Sequence, residues 1–434
     1  MTTIKIKVLR GAEMKIGIID ADLIDERKIK GKRKHRFPNL ASMKISAYYK
    51  ERGNDVSLVT SYDDVKNYEK VFISKVFTDT FVPNEVLALP NVEYGGTGFF
   101  YDKAEPLQYD IEHHMPDYHL YDDWVNQKLN EGIDNDCDEE DRKKTIQNRR
   151  KDFVYYLDYS IGFLTRGCIR GCSFCVNKNY KQCSKHSPVT EFIGEDRRYL
   201  CFLDDNFLAC PDWKSIIEEV KATKKRFQFK QGLDERLLTD EKIVEIFNWN
   251  YIGDYIFAFD NIQDKDIIER KLKRIHELFP DMNKQLKFYV LVGYDRNNKY
   301  DEEFWKQDIR DAFERVGILT KYSAYPYIMR YEKCYTAPEP YRGVYVYLTM
   351  WCNQQNTFVK SSYEVASKCV SMGNKYYAKY KRNIELYEKE IGKKNAGWRY
   401  YDELCAVLPE LKERYLTKTP QEIAEYGKWV RYDN

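Results

Sequence analysis

Apolar and polar residues alternate along the chain in a pattern that predicts short buried strands separated by amphipathic helices. In the first third, the runs Lys15–Ile19, Asp55–Thr60 and Lys70–Ser74 predict strands, and apolar residues at helical spacing predict a helix over Leu40–Arg52. Strands that alternate with helices favour a parallel sheet with right-handed crossovers. We therefore predict an α/β fold that begins with a Rossmann-like parallel-sheet domain over residues 1–150.

The same alternation recurs six times between residues 151 and 335. Polar residues follow each predicted strand, at the face where parallel barrels place their chemistry. Six such units in uninterrupted series favour a (β/α)6 partial TIM barrel over an open doubly wound sheet. The predicted strands are Ser160–Thr165, Tyr199–Leu203, Arg226–Lys230, Asp254–Phe259, Leu286–Val292 and Ser323–Ile328.

Residues 336–434 predict a mainly helical C-terminal extension. One strand is predicted at Val344–Thr349. The segment Lys375–Arg382 interleaves basic residues with tyrosines, which is typical either of a solvated amphipathic helix or of a surface that contacts phosphates and bases. Helices are predicted at Ser361–Ser371, Lys375–Ile391, Tyr400–Leu408 and Pro420–Lys428.

Composition narrows the cellular setting of the chain. Of 434 residues, 32% are charged, yet the net charge is only +2, which gives no global attraction to nucleic acid or to an anionic membrane. No apolar run reaches the roughly 20 residues of a spanning helix. Met1–Lys5 shows no secretory hydrophobic region. We therefore expect a cytoplasmic protein with no membrane partner.

The segment Arg27–Arg36 is a local exception to this charge balance, because most of its residues are basic. Two interpretations stay open at this point. The segment is either a solvated connection or a contact for phosphate or nucleic acid.

Three of the 11 cysteines, Cys168, Cys172 and Cys175, occur together directly after a predicted strand. The odd cysteine count and the length of the chain argue against a disulfide scaffold. Three thiols on one short loop can hold a metal cluster and leave a coordination position open, as a catalytic metal site requires. Zinc is the alternative, with Cys183 or His186 as a fourth ligand.

This loop resembles the cluster loop of radical S-adenosylmethionine (SAM) enzymes. An aromatic residue, Phe174, precedes the last cysteine. The preceding Thr165, Arg166 and Gly167 and the following Asn177 strengthen the resemblance.

Three later segments extend the resemblance. The sequence 202–207 is similar to the second-strand signature of radical SAM members that carry a cobalamin-binding-like N-terminal domain. The sequences 231–234 and 291–293 are similar to the third- and fifth-strand ends of the same group. The resemblance covers the middle domain well, the N-terminal domain moderately and the C-terminal region hardly at all.

The resemblance implies a [4Fe–4S] cluster on the three cysteines, with one iron free to chelate SAM. It implies that SAM is cleaved reductively to methionine and a 5′-deoxyadenosyl radical, which abstracts a hydrogen atom from the substrate. An electron donor such as flavodoxin or ferredoxin is expected as a partner. Nothing in the sequence identifies the substrate, which is a small molecule or a nucleic acid.

The resemblance also implies a set of SAM contacts. Asp204, Asp205 and Asn206 are expected at the methionine amino group, and Gln231 and Asp260 at the ribose or carboxylate. Structural alternatives stay open, since an aspartate can cap a helix and a glutamine can satisfy backbone groups. The expected set is completed by Phe174, beside the cluster or adenine, and by the backbone of Val292 and Gly293, near adenine.

Two departures from relatives limit the assignment of a reaction. Methylthiotransferases carry a second cysteine set near the N-terminus, whereas only Cys137 precedes Cys168 here. Cobalamin-binding domains often carry Asp-x-His-x-x-Gly, but Asp20–Asp25 contains no histidine. A radical SAM enzyme of unknown substrate is the main hypothesis. A cobalamin-type methyltransferase and a zinc-stabilised nucleic-acid-binding module without catalysis are the alternatives.

Overall fold

The computed structural model describes residues 13–25, 36–133, 137–177, 180–369, 386, 389–390 and 396–430. These residues form an α/β structure that divides into two compact units, Met1–Lys230 and Gln231–Asn434. The basic segment predicted at 27–36 lies outside the described residues except for Arg36, as does most of the predicted helix 375–391. The three-domain division made from the sequence stays a prediction.

The first unit begins with a four-stranded parallel sheet, as the alternation of strands and helices predicts. Its strand order is β2-β1-β3-β4. Valine and isoleucine side chains from the strands and the connections between them form its core, because β-branched residues pack well on a pleated surface. The strands are β1 (Lys15–Asp20), β2 (Asp55–Leu58), β3 (Lys70–Ser74) and β4 (Val92–Gly95).

A second, three-stranded parallel sheet in this unit has the order β5-β8-β9. The predicted strand 160–165 is wrong as a single element, because the chain leaves the sheet after Gly162 and then forms a short antiparallel pair. The strands of the sheet are β5 (Tyr159–Gly162), β8 (Tyr199–Phe202) and β9 (Arg226–Phe229), and the antiparallel pair is β6 (Thr165–Arg166) with β7 (Ser184–Lys185).

The second unit holds another three-stranded parallel sheet, formed by β10 (Tyr255–Ala258), β11 (Leu286–Val292) and β12 (Tyr325–Arg330). Every second residue of β11 is buried, since alternate side chains point to opposite faces of a sheet. The six strands predicted for one part-barrel are therefore found as two parallel sheets of three, one in each unit. A single part-barrel stays a prediction.

Helices connect these strands. In the first unit the α-helices are Ala21–Ile24, Leu40–Glu51, Asn84–Leu87, Thr97–Phe100, Tyr109–Glu112, Asp122–Asn130, Glu139–Arg150, Val154–Leu157 and Trp213–Ala222. In the second unit they are Asp240–Phe247, Lys265–Leu278, Glu302–Lys321, Tyr341–Cys352, Gln355–Lys360, Tyr363–Cys369, Ala396–Val407 and Pro420–Ile423. No helix in the described part of the chain has the length and apolar character needed to cross a membrane.

The strand predicted at Val344–Thr349 is wrong, because these residues lie inside the helix Tyr341–Cys352. β-branched and aromatic residues favour strands only weakly, and tertiary packing overrides that preference. Here Val344, Leu348 and Trp351 are buried at helical spacing, so the helix hides one continuous face.

Candidate active site: the cysteine loop

The cysteine loop, residues 167–183, is closed at its base by the β6–β7 pair. Thr165 lies opposite Lys185 in this pair. Gly167 begins the loop with φ +97°, and a Cβ atom there would lie 2.1 Å from the carbonyl oxygen of Gln182. Only glycine tolerates both this dihedral angle and this close approach. The two ends of the loop are therefore held together.

The three loop cysteines are half-buried. The Arg170 N–H donates to Cys168 Sγ at 3.4 Å, and the Asn177 N–H donates to Cys175 Sγ at 3.4 Å. Backbone N–H groups directed at sulfur stabilise thiolates and tune clusters that thiolates bind. Cys172 accepts the N–H of Cys175 through its carbonyl oxygen at 3.0 Å, which makes the loop turn tightly between these two residues.

Asp204 anchors the base of the loop from the end of β8. Its side chain is fully buried, and Oδ1 accepts hydrogen bonds from the N–H of Thr165 at 2.7 Å and from its hydroxyl at 2.6 Å. Oδ2 accepts the N–H of Leu164 at 3.2 Å. Burial raises the pKa of Asp204 to about 7, although these hydrogen bonds oppose the rise. Both oxygens are thus used to position the start of the loop.

Asp205 and Asn206 extend this anchoring to the loop itself. Asp205 Oδ2 accepts the N–H of Gly167 at 2.9 Å, and its Oδ1 accepts a hydrogen bond from the Asn177 side chain. The Asn206 Nδ2 group donates to Cys168 Sγ at 3.4 Å. Asp205 therefore connects the start of the loop at Gly167 with its later part at Asn177, and Asn206 contacts a thiol directly.

Phe174 is held by a residue that the sequence did not single out. Its carbonyl oxygen accepts a hydrogen bond from the hydroxyl of Tyr101 at 3.0 Å. Tyr101 has φ +49°, a value unusual for a residue with a side chain. Tyr101 belongs to no sequence motif that distinguishes it from other surface tyrosines, so its contact with the loop could not be predicted.

The remaining predicted SAM contacts lie in the second unit. Gln231 is exposed. Asp260 accepts the N–H of Leu291 through Oδ1 at 3.1 Å. Gly293 has φ +73°, and a Cβ atom there would lie 2.1 Å from Cys334 Sγ. Glycine is therefore required at this position by the packing of the unit itself.

A buried arginine, Arg315, organises these strand ends, and sequence reasoning missed it. Its Nη1 group donates to the carbonyl oxygens of Phe259 at 3.0 Å, Asp260 at 2.9 Å and Leu291 at 2.9 Å. Burial lowers the pKa of Arg315, and the nearby carboxylates, Asp308 first among them, oppose that effect. A charged residue in an amphipathic helix is normally predicted to be exposed, so nothing in the sequence indicated that Arg315 is buried.

The structure thus groups the predicted residues into two sets. The first set, in the first unit, consists of Cys168, Cys172, Cys175, Phe174, Asp204, Asp205 and Asn206. The second set, in the second unit, consists of Asp260, Val292 and Gly293 near Arg315, with Gln231 on the surface.

A cavity of about 630 Å³ in the second unit is lined by none of the residues of either set. It is found at the amino ends of the strands, where Asp254 precedes β10 and Tyr325 begins β12. Asp254 and Lys287 face each other across 3.9 Å on its wall. None of the predicted SAM contacts lines it.

The loop supplies three thiols to a metal centre, and Cys183 and His186 are the candidates for a fourth ligand. Within the described ranges, no three His, Cys, Asp or Glu side chains are grouped so as to hold one metal ion. Cys183 is buried, which raises the pKa of its thiol to about 12, and His186 is half-buried, which lowers the pKa of its imidazole to about 4. The loop offers three partly exposed thiols, two of which accept backbone N–H bonds, and three is the number of thiolates that leaves one iron of a four-iron cluster open.

The carboxyl end of β1, where an open parallel sheet usually binds ligands, forms bonds within its own unit. Asp20 Oδ2 accepts the hydroxyl of Tyr121 at 3.0 Å, and Asp22 accepts the N–H of Val76 at 2.7 Å. Burial and the charge of Asp22 raise the pKa of Asp20 to about 7. Neither Asp20 nor Asp22 carries an imidazole, the side chain that ligates cobalt in the Asp-x-His-x-x-Gly motif.

No protein-family model matches the chain, and no curated protein matches it. Among solved structures, it is similar to the cobalamin-dependent S-adenosylmethionine radical enzyme OxsB with aqua-cobalamin and S-adenosylmethionine bound, with 12% identity over 89% of this chain and 64% of that chain and a TM-score of 0.41. It is also similar to apo, SeMet-labelled OxsB, with 12% identity over 96% of this chain and 58% of that chain and a TM-score of 0.35. The chain spans less than two thirds of the OxsB chains. At these identities and TM-scores, neither likeness carries an argument about function.

Proposed function

We propose that the chain is a radical SAM enzyme that binds a [4Fe–4S] cluster through Cys168, Cys172 and Cys175 and cleaves SAM reductively to modify a substrate. One observation carries the proposal. Three partly exposed thiols lie on a single loop whose base and arms are fixed by aspartates at the end of a parallel strand. A site that leaves one metal position open for a cofactor needs this kind of rigid, three-thiol loop.

A [4Fe–4S] cluster bound by three thiolates supplies one electron to SAM at its open iron. The neighbouring residues of the chain hold the three thiols in position. Asp204 fixes Leu164 and Thr165, which lead into the loop. Asp205 fixes Gly167, and Asn206 donates to Cys168 Sγ, which stabilises negative charge on that sulfur.

SAM contacts by Asp204, Asp205, Asn206, Gln231 and Asp260 stay predictions, as do those by Phe174, Val292 and Gly293. The bonds of Asp204 favour a positioning role for it, because both of its oxygens already accept backbone or hydroxyl hydrogens. Asn206 is a stronger candidate for cofactor contact, since it lies against a proposed ligand thiol. The reaction class and the electron donor also stay open.

Anaerobic reconstitution tests the proposal. We expect about four irons per chain and, with dithionite and SAM, 5′-deoxyadenosine as a product. The Cys172→Ala variant should lose both the iron and the product. Cys137→Ala is the matched control, because Cys137 is exposed and lies outside the loop. Stoichiometric zinc without iron, or unchanged 5′-deoxyadenosine formation by Cys172→Ala, would refute the ligand assignment.

A further inference from the structure

Lys230, directly after β9, is a half-buried lysine. Its Nζ donates to the hydroxyl of Tyr155 at 2.8 Å and lies 4.3 Å from the centre of that ring and 5.6 Å from the ring of Phe37. In the part of the chain that the structure describes, no carboxylate lies within ion-pair distance of it. By contrast, the buried Lys44 pairs with Glu112. A partly desolvated ammonium without a counter-charge is costly unless a ligand supplies one.

The neighbours of Lys230 are also hydrogen-bond donors. Gln228 donates through Nε2 to the same Tyr155 hydroxyl at 3.0 Å. Because this hydroxyl oxygen accepts from both Lys230 and Gln228, its own hydrogen is directed elsewhere and is free to donate. The ammonium of Lys230 also has further hydrogens beyond the one given to Tyr155. A group of donors with a net positive charge is complementary to an oxyanion.

This group lies on the sheet that carries the cysteine loop. The Lys230 N–H donates to the carbonyl oxygen of Phe202 in β8 at 2.8 Å, and β8 leads directly to Asp204. Gln228 and Lys230 are two residues apart, so their side chains project from the same face. The carboxyl ends of parallel strands are where such sheets bind ligands. The ammonium is thus one strand away from the residues that anchor the loop.

We propose that Lys230, with Tyr155 and Gln228, binds an oxyanion of the substrate, either a phosphate or a carboxylate group. The assignment to the substrate rests on the proposed radical SAM function, whereas oxyanion binding itself does not. Lys230 would determine specificity by requiring a negative group at a fixed place on the molecule that is modified.

Lysine acylation of the reconstituted full-length protein, read by mass spectrometry, tests this site. We expect millimolar inorganic phosphate or succinate to protect Lys230 against N-hydroxysuccinimidyl acetate at constant ionic strength, and the anion that protects identifies the group. Lys221 should react equally in all samples, because it is exposed and already pairs with Glu218. Protection by neither anion would overturn the proposal. Protection by SAM alone would assign the site to the cofactor and overturn its assignment to the substrate.

A second measurement uses variants. We expect Lys230→Met to weaken binding of the protecting anion about tenfold, equivalent to about 1.4 kcal/mol, in a thermal-shift titration. Lys230→Arg should keep most of the affinity, since it retains the charge, and Lys221→Met should match the wild type. Equal affinity in Lys230→Met would contradict the assignment. The iron content and 5′-deoxyadenosine formation of the wild-type protein test the proposed function separately, so either idea can fail alone.

Discussion

Aspartates follow strands in both units, but their surroundings differ between the units. In the first unit, Asp204 and Asp205 accept hydrogen bonds from the cysteine loop and leave its thiols partly exposed. In the second unit, the strand ends are tied together by Arg315, whose donors are taken up by main-chain carbonyls. A polar residue at a strand end therefore indicates a site only where its partners leave reactive atoms accessible.

Removing Arg315 should have the largest effect on stability. Arg315→Met leaves the carbonyl oxygens of Phe259, Asp260 and Leu291 without their buried donor, and we expect a loss of roughly 3–5 kcal/mol in the free energy of unfolding. Denaturant titration measures it. Arg310→Met is the control on the same helix, since it removes partly exposed ion pairs with Glu410 and Glu303, each worth about 1 kcal/mol or less. Equal losses in both variants would show that Arg315 does not organise these strands.

A matched pair of aspartates separates loop anchoring from general stability. Asp204 uses both oxygens, so Asp204→Asn places an amide N–H against a backbone N–H, which should cost roughly 1–3 kcal/mol and lower the iron content. Asp308 accepts the Gly293 N–H and the Tyr345 hydroxyl through Oδ2 alone, so an asparagine can still accept there. Asp308→Asn should keep the iron content of the wild type. Iron analysis measures both variants. Equal loss of iron in both would show that Asp204 does not anchor the loop in a way that Asp308 does not.

Two glycines of the loop test its closure. Gly167→Ala forces a Cβ against the Gln182 carbonyl at a positive φ and should cost roughly 1–3 kcal/mol, with loss of iron in proportion. Gly171 has φ +58°, but beyond its chain neighbours no atom of a described residue lies within 4 Å of its Cβ position, so Gly171→Ala should cost only about 1 kcal/mol. Thermal unfolding and iron content measure both variants. A Gly171→Ala variant that lost as much iron as Gly167→Ala would place the constraint on the backbone angle instead of on the contact.

Local patterns in the sequence were enough to predict most strands of the parallel sheets, because their apolar runs are short and bounded by polar residues, although β4 was not predicted. The strand Leu286–Val292 was predicted with its observed bounds. The cysteine loop and the residues after β8 could also be identified from short stretches of sequence. Arg315 and Tyr101 could not be predicted, because their roles depend on partners distant in the chain. The helix at Val344 shows the same limit, since burial by neighbours decided it against local preference.

The pH dependence of stability is expected to come in part from Glu235, a fully buried carboxyl in the second unit. Burial first, and then the charge of Asp234, raise its pKa from 4.5 to about 8, although Arg236 opposes the rise. The folded chain therefore keeps a proton that the unfolded chain releases in this range. Stability should be fully present below pH 4.5 and should fall as the pH rises toward 8, by about 1 kcal/mol for each pH unit in the steep part of the window.

Glu235→Gln should remove this slope, because a glutamine cannot ionise and still accepts the Ala258 N–H that Glu235 Oε2 accepts at 3.5 Å. Denaturant unfolding at several pH values between 5 and 8 measures it, with the exposed Glu241→Gln as the control that keeps the wild-type slope. The iron content of the same samples should be measured as well. Glu235 lies outside the cysteine loop, so its titration should change unfolding without changing iron content. A wild-type pH profile that stays flat, or that Glu235→Gln leaves unaltered, would show that Glu235 is not the buried acid responsible.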